Sequence, residues 1–180
     1  MSDELQELHE NAEHAKHNPS LAPVSLTMAA LAVIVAVVAL LGHRAHTEEV
    51  VLQAKSSDQW AYYQAKNIRR HTDELFTDLT SVTPTTDAAT LGKLREKYSG
   101  EAERYKNEQK EIEEKATDME KEVDTERRRA DRFDLAEVFL EIALVITSIT
   151  LLSGRRIFWS TGIVLGIVGL IIAGSGFVVK

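Results

Sequence analysis

The chain has no cysteine, only three prolines and no recognisable catalytic motif. Without cysteine there can be no disulfide, zinc–thiolate centre or thiol nucleophile. There is no phosphate-binding glycine loop, nucleophile elbow or HExxH stretch, so the sequence predicts a non-enzyme without a cofactor. A dominant basic surface is missing too. Lysine and arginine total 21 against 28 acidic residues, a net charge of −7 at pH 7, which argues against a nucleic-acid partner. Pro19, Pro23 and Pro84 all fall where elements are expected to begin or end. Nothing resembles a cleavable signal peptide, because the first residues are acidic and no small-residue cleavage site follows the first apolar run.

What is present is segregation. With 180 residues, 44% of them hydrophobic, the chain could fill one core. Its apolar residues collect instead in three runs, at 24–42, 135–153 and 157–178, each long enough to cross a bilayer as a helix. Residues 1–20 form an acidic tail in which Ser2 can cap a short helix and His9, His14 and His17 are exposed side chains. Residues 43–134 are polar and charged, the pattern of a membrane protein with a long aqueous helical section.

That section predicts a helical hairpin with arms at about 43–81 and 100–134 and a connection at 82–99. In the second arm, Leu91, Tyr98, Tyr105, Ile112, Met119 and Phe133 form one row, interrupted by Glu126; Ala102, Gln109, Ala116, Val123 and Ala130 form its companion. Rows alternating three and four residues apart make one seam of a helix wound against a partner. The first arm offers Val51, Asp58, Ala65, Thr72 and Leu79 in one row and Ala54, Ala61, Ile68 and Leu75 in the other. Facing each other, the two seams give an antiparallel coiled coil with closely spaced helices. Thr83–Pro84 breaks the first helix, and Thr83 or Thr86 can cap the second, with Asp87 favourable near its start. Placing the first two spans at equal depth, Ala32 or Val33 beside Ile146, centres the hairpin near residue 89 or 90. The excess of the second arm is then expected as a loop and a short helical piece over 81–100, bending at Gly92 and Gly100. Each arm is on the order of 55 Å long.

Ala29, Ala32, Ala36 and Ala39 in the first span, and Gly162, Gly166 and Gly169 in the third, form small-residue faces that let helices approach closely, within or between subunits. Phe158 and Trp159 follow the short 153–156 link at an interfacial position. For orientation, Arg44, Lys55, Arg127, Arg128, Arg129, Arg132 and Lys180 lie on the hairpin side and Lys16, Arg155 and Arg156 on the other. The positive-inside rule places the hairpin and C-terminus in the cytoplasm and the N-terminal tail outside. The 127–132 arginines then serve topology or contact anionic lipid headgroups.

Two further constellations carry possible function. At the membrane boundary, His43, Arg44 and His46 leave the first span where Asp134, Glu137 and Glu141 enter the second. They fit a register-fixing pair between His43 or Arg44 and Glu137, or a proton or ion relay; the spacing of His43 and His46 is also compatible with a metal, although no metal site is assigned. In 58–71, Trp60, Tyr63, Asn67 and Arg70 fall on the face away from the predicted seam. They suggest contact with another subunit or an unidentified protein, or packing within the chain against 81–100. The acidic face around Glu111, Glu113, Glu114, Glu120 and Glu122 reads as solvated coiled-coil surface.

LGHRAHTE at 41–48 and DQWAYYQAKNIRRH at 58–71, directly after an alanine-rich span, resemble the bacterial membrane-protein family catalogued as domain of unknown function four-three-three-seven. The likeness covers nearly the whole chain. It implies a small three-span protein of the bacterial inner membrane and transfers no catalytic residue. The expectation is therefore an all-α protein, three transmembrane helices with a long antiparallel coiled-coil hairpin between the first and second. Its expected role is a non-enzymatic homo-oligomeric scaffold or adaptor in contact with membrane lipids. An oligomeric channel or transport-associated protein and a histidine-based metal-responsive regulator are the alternatives.

Overall fold

The structure, a computed structural model, describes residues 21–84 and 86–179. The tail with Ser2, His9, His14, Lys16 and His17 lies outside the described residues, as do Thr85 and Lys180. All the regular structure among the described residues is helical: α1 (Ala22–Val82), α2 (Ala88–Ser153) and α3 (Arg156–Gly176). Each helix contains a stretch long and apolar enough to cross a membrane. The chain divides into two units that share α1 and α2. One comprises the residues up to Glu48 and from Thr125 onward, the other Glu49–Asp124.

In the first unit, α1, α2 and α3 enclose a core built on Leu31, Val38, Phe133, Leu140 and the fully buried Ala136 and Ala143. The α2–α3 link is as short as the sequence suggested. Gly154 takes φ +65°, a conformation that favours glycine, and donates its N–H to Thr150 O at 2.9 Å, reversing the chain within two residues of the end of α2. Glycine then sets the spacing. A Cβ at Gly162 would lie 2.0 Å from Thr147 Oγ1 and 2.9 Å from the backbone oxygen of Ala143; at Gly169 it would lie 2.8 Å from Leu140 Cγ. Trp159 ties α3 to α1 by donating Nε1–H to Thr27 Oγ1 at 3.1 Å.

In the second unit, α1 and α2 run antiparallel. Trp60 meets Glu120, Lys66 meets Glu108 and Phe76 meets Tyr98, so the midpoints of these pairs fall between residues 87 and 90. The connection is shorter than the 82–99 expected from sequence, because α2 already begins at Ala88. Neither Thr83 nor Thr86 caps it. Asp87 does, accepting the Thr90 N–H on Oδ1 at 3.0 Å, and that bond holds the Asp87 carboxyl below its ordinary range. Gly92 and Gly100 are not bends but lie within α2, and a Cβ at either would meet nothing within 4 Å. A helical glycine costs about 1 kcal/mol relative to alanine, too little to interrupt a capped helix. The excess length of the second arm is thus carried as largely exposed helix at the start of α2.

The seam residues of α2 follow the predicted rows: Ala102, Tyr105, Gln109, Ile112, Ala116 and Val123 are all buried. The seam of α1 does not. Val51, Asp58, Ala65, Thr72 and Leu79, together with Ala54, Ala61, Ile68 and Leu75, are exposed without exception. The rows turned toward α2 are Leu52, Gln59, Lys66, Asp73 and Thr80, and Ser56, Tyr63, Arg70 and Thr77, each buried or half-buried. The physical reason lies on α2, whose facing side presents the Tyr105 ring, Gln109 and the Glu108 carboxylate. Lys66 of the inward row bonds Glu108 and lies over the Tyr105 ring, and the predicted rows carry no cation that could do so; the buried Gln109 Nε2 has no partner among the described residues.

Candidate functional site

The boundary cluster is built where α1 passes α2 in the first unit. Gly42 and Ala45 are buried against α2, and a Cβ at Gly42 would stand 3.1 Å from Asp134 Oδ1. This bare backbone lets the Asp134 carboxylate lie close to α1, where its Oδ2 is 2.9 Å from His46 Nε2. The two side chains remain about half exposed, so the pair is a wet hydrogen bond rather than a buried ion pair.

His43 lies off this contact. Its carbonyl accepts the Thr47 hydroxyl at 2.8 Å, and its ring has no partner among the described residues. Arg44 lines a cavity of about 400 Å³ together with Leu41, Glu48, Arg129, Phe133 and Phe177. Arg129 is engaged, bonded to Glu126 and donating to Val179 O at 3.3 Å. Arg128 donates to Thr125 Oγ1 at 3.4 Å, whereas Arg127 and Arg132 are exposed without a side-chain partner among the described residues. Glu137 is half-buried and Glu141 exposed; neither has a hydrogen bond or ion pair among the described residues. The pairing expected between His43 or Arg44 and Glu137 is therefore replaced by His46 with Asp134. No group of three or more histidine or acidic side chains gathers in a metal-binding arrangement among the described residues.

The second cluster joins the arms of the other unit. Trp60 and Tyr63 pack edge to face with centroids 5.5 Å apart, and Trp60 donates Nε1–H to Glu120 Oε1 at 2.8 Å. Lys66 donates to Glu108 Oε2 at 2.6 Å and lies 4.8 Å from the centroid of the Tyr105 ring. The hydrogen bond to Glu108 holds the Lys66 ammonium above its ordinary pKa, against the opposing effect of burial; reciprocally, Lys66 holds Glu108 below the usual carboxylate value. Arg70 donates Nη2–H to Asn67 Oδ1 at 3.1 Å, and its Nε lies 3.7 Å from Glu74 Oε1. Trp60, with Tyr63 packed on it, thus contacts the other arm at Glu120 rather than 81–100, whereas the half-buried Asn67 and Arg70 find their partners on α1 itself.

Sequence reasoning missed Lys66, Glu108 and Glu120. The only signal was the clustering of Trp60, Tyr63 and Lys66 on one face of a charged helix, and the polar rows Gln59, Lys66, Asp73 and Ser56, Tyr63, Arg70, Thr77 do not stand out by spacing from the other polar faces. The small-residue faces separate as well. Gly162, Gly166 and Gly169 are buried within the chain, while Ala29, Ala32 and Ala39 are half-buried and Ala36 is exposed.

Among the described residues these features define an all-α protein with three long helices, each able by length and composition to span a membrane. The chain belongs to the family described as domain of unknown function (DUF4337), whose model matches residues 20–179. No curated protein and no solved structure matches it.

Proposed function

We propose that this protein is a non-enzymatic, homo-oligomeric scaffold of the bacterial inner membrane, held by three spans, with its charged helical arms forming a coiled coil in the cytoplasm. The observation that carries the reading is the contact between the arms. Trp60 with Glu120, Lys66 with Glu108 and Phe76 with Tyr98 engage the polar and aromatic side chains there in holding the two helices together. Such pairing suits an element that presents a fixed outer surface to partners. The arginine excess at 127–132 supports the cytoplasmic placement and contact with anionic headgroups. The mass of the particle extracted in mild detergent tests the proposal: a multiple of 20.1 kDa is expected after correction for detergent, and a monomer would overturn it.

A second reading, an ion or proton path in an oligomer, is favoured by Glu137 and Glu141, two carboxylates one helical turn apart beside or within an apolar stretch and without partners among the described residues. Reconstituted protein would then pass ions or protons, and Glu137→Gln with Glu141→Gln would change that flux. Equal flux from both proteins and from empty vesicles removes this reading.

A further inference from the structure

The outer face of α1 in the second unit carries a heptad seam that none of the described residues covers. Its two rows run from Val51 to Val82 without a break in the three–four alternation. Its larger side chains are bare: Ile68 is 67% exposed, Leu75 69%, Leu79 57% and Val82 75%. This is the more apolar of the helix's two seams, yet the polar one is buried. We propose that this stripe is the contact between two copies of the chain, their α1 helices paired parallel and in register.

Several observations select a second copy over another occupant. A seam that stays on one face for more than four heptads fits a helix of the same supercoil, not a lipid surface or an irregular partner. An identical helix supplies the same length and phase, which is the self-complementarity of a two-fold contact. Both stripes continue from the same apolar stretch at 24–42, so copies inserted alike in one membrane bring equal residues to equal level and direction. Covering the stripe would remove four large apolar side chains per copy from water, each more than half exposed in the single chain.

The flanks agree. In parallel register Gln64 comes beside Arg69 of the second copy, His71 beside Phe76 and Asp78 beside Thr83, and no flanking pair brings like charges together. Ala61 and Ala65 allow close approach at the middle. The one discordant residue is Asp58, which meets its own counterpart. A polar residue at such a position restricts strand number and register at a cost in affinity.

This inference rests on the homo-oligomeric reading and is tested apart from it. The native chain has no cysteine, so single-cysteine variants report neighbours cleanly. In membrane vesicles treated with an oxidant, Ala61→Cys and Ala65→Cys should give covalent dimers, and Glu114→Cys on the solvated face of α2 should not. Ile68→Glu with Leu75→Glu should abolish the Ala61→Cys dimer while the helix content at about 25 °C stays that of wild type, because both side chains are exposed in the single chain; the thermal midpoint should fall only by what the dimer contributes. Asp58→Val should tighten association by roughly tenfold. If Ala61→Cys and Ala65→Cys link no better than Glu114→Cys, the stripe is not the contact. In that case an oligomeric wild-type particle overturns this inference alone, and a monomeric one overturns the scaffold reading with it.

Discussion

Where α2 crosses α3, the helices touch through glycine, alanine and threonine; where α2 runs beside α1 in the other unit, they touch through tryptophan, tyrosine, lysine and glutamate. The first contact is tight enough that a single Cβ at Gly162 has no room. The second buries small and apolar residues as well, Ala102, Ile112, Ala116 and Val123 on α2 and Leu52 and Ser56 on α1, but adds long side chains with polar ends that reach from arm to arm. The difference follows the solvent each contact is built for. In an apolar medium, association gains nothing from hiding methyl groups and depends on close backbone approach. In water, amphipathic side chains can bury their stems and still present charged ends to partners or solvent. One helix, α2, makes both kinds of contact, and its sequence changes from Glu- and Lys-rich to predominantly Leu, Ile, Val and Ala between them.

The same substitution should therefore act with opposite sign in the two regions. Gly162→Ala places a methyl group against Thr147 Oγ1 and the backbone oxygen of Ala143, and the backbone cannot yield easily. A net loss of about 2–3 kcal/mol is expected by thermal unfolding in detergent. Thr147→Ala should restore only part of it, because the Ala143 oxygen remains at 2.9 Å. Gly169→Ala meets Leu140 Cγ at 2.8 Å and the Ala136 backbone oxygen at 3.2 Å, a looser backbone contact than at Gly162, and should cost about 1–2 kcal/mol. Gly100→Ala, in open space within α2, should instead stabilise by about 0.5–1 kcal/mol. A stabilising Gly162→Ala would show that the α2–α3 contact is looser than described.

In the polar region single losses should be smaller, because water can take the place of a missing partner. Trp60→Phe keeps the ring against Tyr63 and removes the Nε1–H bond to Glu120, whose carboxylate is already exposed. A loss of about 0.5–1 kcal/mol is expected in denaturant unfolding of the full chain. A loss as large as that of Gly162→Ala would mean that the arms depend on this bond as strongly as the apolar helices depend on their glycines.

The contrast between regions also explains what could be read before any coordinates. Three long apolar runs, a charged section between the first two and the heptad of α2 were visible because each shows directly in which residue types recur. The phase of α1 was not, because apolarity points to the Val51–Val82 rows and the chain instead turns Tyr63, Lys66 and Arg70 inward. The helix start at Ala88 was obscured by Pro84, by two threonines able to cap, and by two glycines that look like bends. In the cluster of His43, Arg44, His46, Asp134, Glu137 and Glu141 the pairing was not legible: the missing side chain of Gly42 lets the Asp134 carboxylate reach His46, and Glu137 has no partner among the described residues.

The smallest expected effect is electrostatic, and its sign follows from the directions of two shifts. Glu108 sits below its ordinary pKa in the folded chain, so its bond to Lys66 is fully present above the unfolded carboxylate value of about 4.3 and is lost as pH falls through the lower folded value. Lys66 sits above its ordinary pKa, so the same bond persists at neutral pH and is lost as pH rises through the folded value, above about 10.4. The pair therefore contributes across the whole physiological range and fails at both extremes. With 28 acidic residues in the chain, the raw acid limb contains many other groups, and the useful measurement is a difference between proteins. Glu108→Gln keeps the side chain's size and a hydrogen-bond acceptor but removes the charge. Against wild type, its stability deficit should be constant between about pH 6 and pH 9 and should shrink toward zero in acid, where wild type loses the same charge. Neither protein should show this convergence through the α2–α3 contact, where Gly162, Ala143 and Thr147 carry no ionisable group. A deficit that grows in acid would mean that the Glu108 carboxylate is strained beside Lys66 rather than held by it, and the polar seam would then owe its order to Trp60, Tyr63 and Tyr105 instead.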